Sequence, residues 1–237
     1  MKSDLRILFI AAFAAVSAVA QQDTNLPPAE AQSPDIQVES LSEEDRIQFL
    51  LDVAQAYIGE TDGESAITTY ERILEIDPVN NEARYLLSTL YITTKQYAKA
   101  EQMLTGLIEE YPDNFQLKNN LAWQYATAED PAFRDGQKAI ELAQEAMILA
   151  PTDHHVWSTL AEAYYSTGQY EKAYRAINQM LALGQRYGSD ITPEMAEGYN
   201  KQISKCRRAL ATEKAFEEDE TDPPSTTPSV DKDAQEQ

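Results

Sequence analysis

The chain has 237 residues, 40 of them Asp or Glu and 19 Lys or Arg, for a formal charge of −21 at neutral pH. A field of that sign repels nucleic acid and anionic membrane surfaces and leaves a basic partner permitted. Cys206 is the only cysteine and His154 and His155 the only histidines, so the sequence excludes an internal disulfide, a paired-cysteine metal site and an H-E-x-x-H motif.

Residues 1–20 read as a secretory signal peptide. Lys2 and Arg6 precede an apolar run from Ile7 to Ala20, which ends in Ala18-Val19-Ala20 before Gln21. The run is shorter than the roughly 20 residues that a membrane-crossing helix needs, and an uncleaved anchor is the alternative. No cysteine follows it to carry a lipid. No Asn-x-Ser/Thr sequon occurs anywhere, which points to bacterial export. The expected destination is the periplasm of a Gram-negative cell, with secretion as the alternative. Residues 21–41 mix Pro, Gln and Ser with four acids and no base, a composition expected to stay disordered. Ser42, with Asp45 three residues on, then predicts a helix start.

From Ile47 one helix-pair pattern occurs four times, over 47–80, 81–114, 115–153 and 154–187. In each first helix a large residue, an aliphatic, a small residue and a tyrosine recur at spacings of three, one and three, which places them on one face. They are Leu50, Val53, Ala54 and Tyr57; Arg84, Leu87, Ser88 and Tyr91; Lys118, Leu121, Ala122 and Tyr125; Trp157, Leu160, Ala161 and Tyr164. In the second helices Ala66, Ala100, Ala139 and Ala173 let two backbones approach, and Tyr70, Leu104, Ala143 and Ile177 follow four residues later. Pro78, Pro112 and Pro151 close the first three copies. Copy three carries five extra residues within Thr127–Gly136, read as a longer turn.

This register resembles the tetratricopeptide repeat family, over about 140 residues. The resemblance implies an all-α fold, a right-handed superhelical solenoid of helix-turn-helix repeats, here spanning 42–212. A capping helix is expected over 193–210, with Met195, Tyr199, Ile203, Cys206 and Leu210 on its buried stripe. An acidic, disordered tail is expected from residue 213.

The family binds proteins, and the resemblance implies that the first helices line a peptide-binding groove. Its residues would be Gln48, Leu51, Asp52, Gln55 and Ile58 from copy one, and Glu82, Tyr85, Leu86 and Thr89 from copy two. Copy three would give Asn119, Asn120, Trp123 and Thr127; copy four His155, Ser158, Thr159, Glu162 and Tyr165. Tyr85, Trp123 and Tyr165 are the expected aromatic anchors, and Asn119 and Asn120 the contacts to a peptide backbone. Asp52, Glu82 and Glu162 would favour a basic residue on the ligand. The family's carboxylate-clamp subtype is absent: of the matching slots only Asn120 fits, and none holds lysine or arginine. The one cysteine has no plausibly placed base to form a nucleophilic dyad, and no glycine-rich loop follows a strand. The chain therefore reads as a non-enzymatic protein or peptide binder without cofactor or metal. A chaperone or assembly factor for exported clients, or a regulatory subunit of an enzyme, are the alternatives.

Overall fold

Helix starts and stops are written into each copy. In the computed structural model, which describes residues 41–187 and 191–221, side chains of Ser42, Asp62, Asn80, Asn114, Asp135 and Asp153 each accept a hydrogen bond from a backbone N–H two or three residues on. Six of the helices open on these caps, and the helices alternate as first and second helix of each copy. They are α1 (Glu43–Gly59) and α2 (Gly63–Ile76), α3 (Asn81–Thr93) and α4 (Tyr97–Glu110), α5 (Phe115–Thr127) and α6 (Gly136–Leu149), α7 (His154–Ser166) and α8 (Tyr170–Tyr187), then α9 (Pro193–Thr221). No strand occurs among the described residues, and the fold is an all-α solenoid of stacked hairpins. The signal-peptide reading of 1–20, the linker up to residue 40 and the tail beyond Thr221 lie outside the described residues.

The turn inside copies one, two and four is the same device. Thr61, Lys95 and Gly168 take positive φ values of 61°, 63° and 74°. The next residue's N–H then reaches back to the tyrosine carbonyl: Asp62 to Tyr57, Gln96 to Tyr91, Gln169 to Tyr164. In copy three the same role falls to Asp135, whose N–H donates to Tyr125 O at 3.1 Å across the insertion. The extra residues loop out between unchanged anchor points. They form a 3-10 turn, Pro131–Phe133, which sets the Phe133 ring 5.6 Å from that of Tyr97 in the preceding copy. Gly136 is needed beyond the loop, because a Cβ there would lie 2.4 Å from Thr167 Cγ2.

Packing follows the register of the sequence. Ala66, Ala100, Ala139 and Ala173, with Tyr70, Leu104, Ala143 and Ile177, are all fully buried. The cores cross copy boundaries: Leu51, Ala54 and Ile73 pack with Leu87 and Tyr91, and Leu104 and Leu107 pack with Leu117, Leu121 and Tyr125. Each buried leucine contributes roughly 1.5–3 kcal/mol, so the copies stabilise one another. At the slot where copy four has Trp157, the polar residues Arg84 and Lys118 bury their stems and pair outward. Arg84 binds Glu110 through two hydrogen bonds of 2.6 and 2.8 Å, and Lys118 binds Glu145.

One boundary departs from expectation. The sequence places the last helix over 193–210 with disorder from 213, yet α9 continues to Thr221. The added stretch, Ala211 to Glu220, is rich in strong helix formers and contains no glycine or proline before Pro223.

Candidate functional site

The residues expected to line a groove divide into three sets. Gln48, Asp52 and Gln55 are exposed along α1, with Gln48 Nε2 donating to Asp52 Oδ1 at 3.0 Å. Glu82, Thr89 and Asn120 are half-buried, and Asn120 Nδ2 lies 3.4 Å from Thr89 Oγ1. Trp123 is the aromatic left open, at 38% exposure.

A second set turns into the core instead. Leu51 packs with Ala54, Ile73 and Leu87, and Tyr85 packs with Leu104 and Leu121. Burial pushes the Tyr85 phenol up, against a hydrogen bond with Asn120 that pulls it down. Asn119 is buried, and its Oδ1 meets no hydrogen-bond partner among the described residues. Tyr85 and Asn119 are thus closed to a ligand, against expectation.

The third set, in copy four, is already engaged. Ser158 Oγ donates to Gln202 Oε1 at 2.9 Å, and Gln202 Nε2 donates to Ser158 O at 2.8 Å. Lys205 Nζ donates to Glu162 Oε2 at 2.6 Å and lies 3.9 Å from the centre of the Tyr165 ring. Thr159 is buried, and His155 holds Asp153 Oδ1 through its backbone N–H at 2.8 Å. Glu162, expected to attract a basic ligand, is therefore neutralised by the chain's own lysine. The reason is α9, which lies against α7 and α8 where a fifth copy's first helix would pack.

What remains open is a cleft of about 630 Å³ between α5, α7 and α9. Trp123 forms one wall, Met195 and Tyr199 the other, and Glu162, Glu194 and Glu197 with Lys201 and Lys205 set its polar rim. Lys201 pairs with Glu197 at 2.6 Å and holds that carboxyl below its usual range. Glu194 is exposed and has no cation partner among the described residues. Gly198 faces the same space, with nothing within 4 Å of the position a Cβ would take. The α9 residues of this cleft were missed because Met195 and Tyr199 read as a buried stripe. Gln202, a polar side chain on that stripe, was the available signal. Among the described residues no group of three or more His, Cys, Asp or Glu side chains is placed to hold a metal ion, and no helix is long and apolar enough to cross a membrane.

Comparison with known proteins agrees with this architecture. The family described as tetratricopeptide repeat matches residues 51–123 and 132–190, and the gap between them adjoins the inserted turn. Superkiller protein 3 of Schizosaccharomyces pombe is 23% identical over 120 residues, which is 50% of this chain but 9% of that protein. This chain thus spans under a tenth of that relative's length. The structure of TTC0263, a thermophilic TPR protein of Thermus thermophilus, aligns with a TM-score of 0.54 at 22% identity, covering 74% of this chain and 93% of that one. MamA of Desulfovibrio magneticus RS-1 aligns with a TM-score of 0.51 at 13% identity, covering 76% and 100%. At such identities the likeness is one of fold. With the family matched over more than half its length and the hairpin register intact in all four copies, the chain belongs to the tetratricopeptide repeat family.

Proposed function

We propose that this protein is an exported, non-enzymatic scaffold that holds a basic or neutral segment of a partner protein in the cleft between Trp123 and α9. The single observation that carries the reading is Trp123: a large aromatic exposed at the mouth of the cleft, while its neighbours on the same helix are buried. Exposed tryptophans in such settings act as interface anchors. Glu194, on the rim of that cleft, has no cation paired to it among the described residues, which favours a ligand lysine or arginine. Periplasmic residence rests on the charged start, apolar run and Ala-x-Ala end of residues 1–20.

The test is affinity capture from periplasmic extract with three baits. The unaltered chain should retain a defined partner. Trp123→Ala should weaken it by about 30-fold, the loss of a strong anchor. Gly198→Leu should also weaken it, by filling the cleft while improving helix propensity, so lost binding cannot be lost folding. Unchanged capture by both variants would defeat the cleft assignment, and the chain's absence from an osmotic-shock fraction would defeat the location.

A further inference from the structure

A second cleft, of about 540 Å³, opens on the other side of the stack between α6 and α8, over α7. Its apolar part is Met147, Ile148 and Trp157, and Ile148 is 74% exposed. Lys172 and Arg175 are its charged residues, and no acid among the described residues lines it. In a chain of net charge −21 that sign is unexpected. Arg175 pairs with Glu171 at 2.7 Å, but both side chains are well exposed, so the pair is weak and exchangeable.

The same chain carries a shape and charge that match. Helix α9 has 29 residues against 18 in α8, about 43 Å against about 27 Å at 1.5 Å per residue. Leu210 and Lys214 of α9 lie beside Glu171 and Tyr174, near the start of α8. The last turns of α9 therefore overhang the stack. Phe216 is 69% exposed on that overhang, next to exposed Ala211 and Ala215. The sequence continues Glu217-Glu218-Asp219-Glu220. The end of α9 thus has an uncovered apolar edge at Ala211, Ala215 and Phe216, and an acidic sequence follows it.

We infer that this protein forms a two-fold dimer in which the overhanging end of α9 from each copy lies in the α6–α8 cleft of the other, with Phe216 against Ile148 and Trp157, and with the acidic sequence that follows Phe216 attracted to that basic cleft. The contact is between copies because α8 stands between a chain's own α9 and its own cleft. Each copy offers one helix end and one cleft, so two contacts close the pair without leaving a site for further growth.

Sedimentation velocity of the full chain from about 1 to 100 μM tests this. The expected result is a monomer–dimer equilibrium that weakens with salt, because the charge pairing is at an exposed rim. Ile148→Glu and Phe216→Glu should each raise the dissociation constant at least about tenfold with helical circular dichroism unchanged. Mixing Ile148→Cys copies with Phe216→Cys copies should yield a disulfide between unlike chains. A monomer across the whole range, a dimer indifferent to both glutamates, or a cleft that takes up a different acidic protein while the chain stays monomeric would each overturn the inference.

Discussion

The Lys99 ammonium lies 4.9 Å from the centre of the Tyr91 ring and 3.4 Å from Glu71 Oε1, and the Tyr91 hydroxyl donates to that same carboxylate at 2.7 Å. Lys99 and Tyr91 belong to the two helices of copy two, and Glu71 to copy one. The arrangement recurs one copy on, where Lys138 lies 5.4 Å from the Tyr125 ring centre and Tyr125 donates to Glu101 at 2.7 Å. It recurs again with Lys172 at 5.5 Å from the Tyr164 ring and Gln144 donating to the Tyr164 hydroxyl at 3.0 Å. Copies two, three and four thus each fasten their own hairpin with a cation over a ring and fasten to the copy before through that ring's hydroxyl.

One substitution should have opposite signs at two tyrosines. Burial, and then Glu71, pushes the Tyr91 phenol up, so it remains a donor at neutral pH. Tyr91→Phe removes that bond and should cost about 1 kcal/mol. Tyr70 is fully buried, and its hydroxyl meets no hydrogen-bond partner among the described residues. Burial first, and Glu82 second, push its phenol up to about 12. Tyr70→Phe should therefore be stabilising by up to about 1 kcal/mol, because an unsatisfied polar group leaves the core. Urea denaturation of the two variants decides it, and a shared sign would count against the hydrogen-bond pattern described.

The turn residues make a second prediction. Nothing lies within 4 Å of a Cβ built on Gly168, so a side chain there meets only conformational cost. Gly168→Thr should cost about 1–2 kcal/mol, the penalty for a branched residue at positive φ. Thr61→Gly removes that penalty but frees the unfolded chain, and should return a smaller gain of about 0.5 kcal/mol. Thermal melts showing Gly168→Thr to be neutral would mean that the turn can rearrange.

The repeated alanines and tyrosines were legible in the sequence because four copies constrain one register, and a misplaced residue in one is corrected by the other three. The open face was less legible. A first helix in a stack meets its own second helix and the copies on either side, so its free stripe is about one residue wide. Leu51 and Tyr85 fall on the inner side of that stripe while Trp123 stays out. The engagement of Glu162 by Lys205 was hidden for a different reason: its partner is 43 residues away, on a helix outside the repeating pattern. Likewise nothing local to the insertion tells that Phe133 will find Tyr97.

Acid should weaken the fold through the helix caps. The hydrogen bond from Ser65 lowers the Asp62 carboxyl below its ordinary 3.8, and backbone hydrogen bonding at Lys138 chiefly lowers Asp135. A folded value below the unfolded one stabilises the native state above the unfolded value, and that contribution is lost as pH falls through the folded value. Stability should therefore decline from about pH 4 downward. Asp62→Asn with Asp135→Asn keeps cap geometry, since asparagine caps as well, but removes both titrations. The double variant should show a shallower fall in urea midpoint between about pH 5 and 2.5. Parallel profiles for it and the unaltered chain would mean that these caps do not carry the acid sensitivity.

Cys206 gives a direct reading of whether α9 is docked. It is fully buried among Ala173, Ile177 and Met180, and burial, reinforced by Glu162 and opposed by Lys205, pushes its thiol up to about 11. Labelling by an aromatic disulfide at neutral pH should be slow and governed by how often α9 lifts away. Lys205→Met removes both the partner of Glu162 and the cation that favours the thiolate. Its electrostatic effect on the sulfur alone would slow the reaction. Its effect on docking would speed it, because Glu162 is left buried without a partner. The docking effect should win, with labelling at least about tenfold faster and global stability reduced less than in proportion. A slower reaction in Lys205→Met would mean that the Glu162–Lys205 pair does not hold α9 in place.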